Sequence, residues 1–372
     1  MPIKIDEFLR HQVYLERLDS NIINTAVYPS LDASYRAIRA QLMAAENINT
    51  PVKLRRIVRI VNDEIDRNSG WSAVTESLDE AAIYESDFQA RFITSSTGVA
   101  MKSPAKKQVR EFMEQSLMTV TSGQRVQSAL WTEFTQNNIT SQKQLVDGLI
   151  RQGYLQGDTV NTIARRIKGA YDGIVRRDAE TLARTGFSHY MTGARQAMAD
   201  AQSVPMDVVY MATFDNRTTL QCRGLDGRRW PLDDDAIQYP PVHYGCRSTL
   251  LYLPRGEDVT GARSAIGGQS GSEAKEAFEN REQRLRTASQ VRYRGRRDDN
   301  IFKAGQVRAQ TSSDAWLRQQ PAWFVDDSLG QARGRLFREG MPIERFTDMT
   351  GRKLTLDDLR SRDADLFARA GL

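Results

Sequence analysis

At Pro205 the spacing of apolar residues changes. From the N-terminus to residue 203 they recur every three to four positions, whereas the next stretch, MDVVYMATFD (206–215), is dense in β-branched and aromatic residues at a period near two. Helices and strands need different periods, so the chain must hold a long helical part followed by a small β part. This predicts an α+β fold that is mainly α. In it a long helical N-terminal region leads to a small hairpin-containing β module, a basic linker and a short helical C-terminal region.

In the helical part, Val13, Leu15, Leu18, Ile22 and Ile23, then Leu31, Tyr35, Ile38 and Leu42, form faces that pack. Ser103-Pro104 marks a further helix start, and Gly153 and Gly157 read as stops before a cap at Asp158 or Thr159. Segment 178–202 carries Leu182, Ala183, Phe187, Tyr190, Met191, Ala194 and Met198 as one stripe, which predicts a spine helix. RSTLLYL (247–253) predicts a second strand. After Pro254 a Gly/Ser-rich stretch and an Arg-dense run read as a linker to about residue 310. Three helices are expected beyond it, with Ser312 or Ser313 as a cap and TLDDL (355–359) opening the last. The boundaries are 1–150 for the helical region, 151–255 for the β-containing module, 256–310 for the linker and 311–372 for the C-terminal region.

Composition narrows the function classes. No apolar run approaches the ~18 residues of a membrane span, and the N-terminus is charged from its fourth residue, so no membrane partner and no export signal are expected. The formal net charge of +5 is carried mostly by Arg, which suits phosphate and carboxylate partners. Seven Arg between 281 and 297 face one Glu, with Tyr293 interleaved. Arg284, Arg286, Arg292, Arg294, Arg296 and Arg297 are therefore candidate contacts to double-stranded DNA, against the plainer reading of a solvated linker.

The chain has only two cysteines and three histidines, yet Cys222, His243 and Cys246 lie close together. Two thiolates and an imidazole suit zinc, with Asp215 or Asp226 completing a tetrahedron. Three soft ligands do not close a structural site, so the alternative is a metal-free pair of semi-buried thiols, near enough to form a disulfide outside a reducing cell. A metal-dependent hydrolase is the third reading, and it lacks a nearby His-Glu pair. Around the cluster, Asp215-x-Arg217-Thr218 predicts a capped, ion-paired turn. Leu225-Asp226-Gly227 predicts a tight hairpin turn, with Gly227 at positive φ and Arg247 among the surrounding polar contacts.

Taken in order, ATFDNRTTLQCRGLDGRRW, YPPVHYGCRSTL and the preceding LARTGFSHY resemble the phage Mu F-like head morphogenesis family of minor capsid proteins, over roughly residues 150–253. A second pattern, on Trp316, Leu317, Gln320, Pro321, Leu329 and Gly330, resembles the closing motif of tailed-phage head morphogenesis proteins. Many members carry a cysteine where Ser248 stands here, which weakens the zinc reading. The resemblance implies a non-enzymatic minor structural protein without a cofactor, assembled in the host cytoplasm into the virion, in the head interior or at the portal vertex. Its implied partners are the portal, the major capsid or scaffolding protein and double-stranded DNA, and its implied role is in head assembly and DNA packaging, retention or ejection. Some members carry an appended toxin or ADP-ribosyltransferase domain, for which the residues after 311 leave little room.

Overall fold

The computed structural model describes residues 3–123, 125–269, 301–348 and 352–372. After a two-residue strand, β1 (Ile3–Lys4), come α1 (Asp6–Ile22) and α2 (Tyr28–Ala44), joined by a π-helical turn at Ile23–Val27. Pro29 explains the turn: lacking an N–H, it cannot donate to the carbonyl four residues back, and the widened turn absorbs the gap without ending the rod. Next come α3 (Pro51–Arg67), capped by Thr50, α4 (Trp71–Thr97) and α5 (Lys106–Gln115).

The region 116–130 departs from the helical expectation. Leu117–Ser122 (β2) and Arg125–Leu130 (β3) form an antiparallel hairpin with Leu117 opposite Leu130. Met118 and Val120 point into the core while Leu117 and Val126 stay exposed, the period of a strand. Helix α6 (Trp131–Gln156) ends at Gly157, which takes positive φ, and Thr159 caps α7 (Val160–Ala170). Gly153 is no stop. It lies inside α6, where a Cβ would overlap Ile163 of α7.

A second π-turn, Tyr171–Val175, leads into α8 (Arg176–Asp200), the expected spine. The whole stripe from Leu182 to Met198 is buried. Val13, expected on a packed face, is instead 49% exposed. Small residues let neighbours close on α8: a Cβ on Gly186 would overlap the Trp131 ring, and one on Gly193 would overlap Met113.

The β module is a three-stranded antiparallel sheet with β4 (Met206–Met211) between β5 (Arg229–Pro231) and β6 (Thr249–Pro254). Its core also takes in Ile3, Ile5 and Phe8, because β1 pairs in parallel with β7 (Val259–Thr260). The N-terminus is thus part of the module's core, and residue 150 falls inside α6 rather than between two bodies. The expected linker is ordered at both ends, where β8 (Ala262–Gln269) pairs with β9 (Ile301–Arg308). The six candidate DNA-contacting arginines, Arg284 to Arg297, lie outside the described residues.

Where three C-terminal helices were expected, the described residues hold five, α10 (Ser313–Leu317), α11 (Ala322–Leu329), α12 (Gln331–Arg338), α13 (Leu356–Arg362) and α14 (Ala364–Arg369), with a 3-10 turn at Ile343–Phe346. Two of the five, α11 and α12, begin without a side-chain cap, so no capping residue sets them apart in the sequence. Their core includes Phe214 and Leu220 of the module, and Trp316 stacks on Phe214 at 5.1 Å between ring centroids. The closing motif serves this docking. Trp316, Leu317 and Leu329 are buried, Gln320 accepts a hydrogen bond from the Gly268 amide, Pro321 precedes α11, and Gly330 turns the chain at positive φ.

One buried ionic cluster joins these parts. Glu85 of α4, fully buried, accepts from Arg195 Nε of α8 at 2.6 Å, from Gln89 at 2.7 Å and from His11 of α1. Arg195 also donates to Thr249 and to the Leu250 carbonyl of β6. Burial alone would push the Glu85 carboxyl up, but Arg195 and His11 outweigh it and hold it at about 2. The stability this supplies, roughly 3 kcal/mol from the size of the shift, is present above the unfolded carboxyl value near 4.3 and lost as pH falls towards 2. Glu85→Gln is expected to flatten urea-derived stability between pH 4.5 and 2. Glu85→Ala should cost about 3–5 kcal/mol at neutral pH by stranding Arg195.

Candidate functional site

The Cys/His cluster lies where three local structures meet. Thr219 accepts from the Cys222 amide and caps a short helix, α9 (Leu220–Leu225), placing Cys222 in its first turn. In the loop before β6, Cys246 N–H donates to the His243 carbonyl, and Gly245 takes the positive φ that this turn requires. The loop is held from two sides: the Gly245 amide donates to Thr185 Oγ1 of α8, and the Thr121 amide of β2 donates to the Val242 carbonyl.

This framework brings Cys222 Sγ to 3.2 Å from His243 Nε2 and 3.7 Å from Cys246 Sγ. Both cysteines are free, and the sulfurs are too far apart for a bond of ~2.05 Å. Tyr210 OH donates to Cys222 Sγ at 3.4 Å, and His243 Nδ1 donates to the Tyr244 carbonyl at 2.9 Å. Burial opposes ionisation of Cys222, but its hydrogen bonds to Cys246 and His243 prevail and hold its thiol well below the usual range. The bond with Cys222, reinforced by burial, pushes the Cys246 thiol well up. His243 is raised: burial disfavours its charge, and the contact with Cys222 more than compensates.

The surrounding carboxylates are engaged elsewhere. Asp215 accepts from Arg247 at 2.6 and 2.9 Å, from Thr218 Oγ1 at 3.0 Å and from the Arg217 amide at 3.0 Å. Burial would raise its carboxyl, and Arg247 lowers it overall. Arg217 contributes that amide alone. Its side chain is exposed, so the ion pair expected of it is made by Arg247. Leu225-Asp226-Gly227 does make a tight turn, closed by the Arg228 amide donating to the Leu225 carbonyl at 3.0 Å with Gly227 at positive φ, but it joins α9 to β5 rather than two paired strands.

Asp226 accepts from the Ala212 amide at 2.8 Å, the Ser313 amide at 2.9 Å and Arg263 at 2.6 Å. Burial still pushes its carboxyl up against all three. Neither Asp215 nor Asp226 is free to act as a fourth metal ligand, and among the described residues the one His/Cys/Asp/Glu group placed to hold a metal is Cys222, His243 and Cys246. Sequence reasoning missed Arg195, Arg223 and Arg263. Arg223, 2% exposed, donates to the Thr218 carbonyl at 3.0 Å and to the Asp215 carbonyl. For Arg195 and Arg263 nothing in the sequence marks the burial, because their carboxylate partners come from distant segments.

Beside the cluster lies a cleft of about 940 Å³ between α1, α8 and the module, bordered by Glu16, Asp19, Arg184, Arg217, Cys246 and Ser248. Burial raises the Asp19 carboxyl to about 6 although Arg184 donates to it at 2.7 Å.

The same residues carry the family signal. The stretch 144–251 matches the family model described as Phage Mu protein F like protein, from the second half of α6 to the middle of β6. This segment is similar to the Phage Mu F-like family. The family is one of phage structural and head morphogenesis proteins. Comparison with curated proteins and with solved structures found no match. Among the described residues, no helix is long and apolar enough to cross a membrane.

Removing Asp226 leaves a buried guanidinium unpaired and two amides without an acceptor. Asp226→Ala should therefore cost about 3–5 kcal/mol in urea unfolding, whereas Arg217→Ala should stay within about 0.5 kcal/mol.

Proposed function

We propose that this chain is a non-enzymatic minor structural protein of a tailed-phage head, bound at the portal vertex and acting in DNA packaging, retention or ejection. The observation that carries this reading is the Mu F-like segment, which supplies the spine helix, the β module and the Cys/His loops. The chemistry around it supports the same reading. The carboxylates near the cluster are taken up by Arg247, Arg263 and backbone amides, which is how a framework is held rather than how a general base is presented. The helical region, outside the matched segment, offers the surface for portal or capsid protein.

Co-expression with the portal of the same phage tests the reading directly. Co-elution with assembled portal rings in a few copies per ring is the expected result, and phage lacking the protein should form heads that package or deliver DNA poorly. A chain that ignores both portal and major capsid protein and is missing from purified virions would overturn it.

A further inference from the structure

The geometry of the cluster points to a zinc site: we propose that Cys222 Sγ, Cys246 Sγ and His243 Nε2 bind one zinc ion. Two thiolates ~2.3 Å from a tetrahedral zinc stand about 3.8 Å apart, and a thiolate and an imidazole nitrogen about 3.5 Å apart. The sulfurs are 3.7 Å apart and Cys222 Sγ is 3.2 Å from Nε2, with all three donor atoms within 4.8 Å of one another.

The histidine is set for this role by its second nitrogen. Nδ1 donates to the Tyr244 carbonyl, which leaves Nε2, facing the sulfur, as the nitrogen with a lone pair. Cys246 is likewise prepared, because the backbone groups of Val242 and Ser248 hydrogen-bond its sulfur. Sulfur and imidazole donors select zinc over magnesium or calcium, which take oxygen. Binding displaces the thiol protons to solvent and forms two Zn–S bonds and one Zn–N bond. Cys246 and Ser248 border the cleft, so the fourth position falls to a water entering from it.

Such an ion would pin α9 to the loop before β6, two segments that share no strand pairing with each other. The contact of 3.7 Å is also what two packed thiols would show, and the experiment separates the two. Full-length protein purified under reducing conditions is expected to carry about one equivalent of zinc by elemental analysis. Replacement by Co²⁺ should give the intense near-ultraviolet thiolate band and the visible absorption of a tetrahedral site. Cys222→Ser and Cys246→Ser should each weaken zinc binding by at least ~10-fold. Should those variants fail to fold, the unmodified protein still decides the matter: its unfolding midpoint should rise with added zinc and fall with chelator. A metal-free protein that develops no thiolate band with stoichiometric Co²⁺ would overturn the proposal, as would a Cys222–Cys246 disulfide in protein purified without reductant. Neither result bears on portal binding.

Discussion

The contact between Glu85 and Arg195 is the one on which the arrangement of the rest depends. Two opposite charges, both essentially without solvent access, sit where α1, α4, α8 and β6 converge. Desolvating such a pair is expensive, and the cost is offset only because each remaining hydrogen-bonding atom of the guanidinium and carboxylate finds a partner nearby. Hydrophobic burial would tolerate several relative placements of the helices and the sheet. A guanidinium that must reach α4 on one side and the β6 carbonyl on the other tolerates far fewer.

Arginine repeats this role at each seam. Arg263 of β8 reaches Asp226, whose other oxygen accepts the first amide of α10, so one carboxylate ties the β4 end, the β8–β9 hairpin and the C-terminal helices. Arg223 threads from α9 to the Asp215 and Thr218 carbonyls and reaches Ser313 at 3.5 Å. A planar fork with several donors can satisfy two or three carbonyls at once, which lysine cannot. Part of the arginine excess that suggested polyanionic partners therefore has an internal use.

What could be read from the sequence follows from how local each signal is. The α8 stripe was legible because one helix's own period writes it, and the nearness of Cys222, His243 and Cys246 because both cysteines and one of the three histidines fall in one stretch of the sequence. The β2–β3 hairpin was missed although MTVTS alternates, since helical segments on both sides dominated the window. The β8–β9 pair was hidden by glycine and serine, which carry little strand preference of their own; Gly268 is needed there because a Cβ would overlap Trp323 and Phe324. The choice of Arg247 over Arg217 as partner of Asp215 could not be read at all. Arg217 is the nearer in sequence and Arg247 lies 32 residues away, and only the fold of the loop before β6 brings its guanidinium to Asp215.

The limits of the family match then acquire a physical meaning. Segment 144–251 contains Arg195, but the carboxylate that neutralises it belongs to α4 and its histidine partner's to α1, both outside the match. The same holds at the other end, where Asp226 lies inside the segment and Arg263 and Ser313 outside it. Cut at the boundaries of the match, the segment would bury one unpaired cation and one unpaired anion. The matched stretch is thus the part that carries the motif, while the folding unit extends into the N-terminal helices and the C-terminal region. Each flank supplies a charge that the motif-bearing segment needs, so the helices that flank it are part of what holds the Cys/His loops in place.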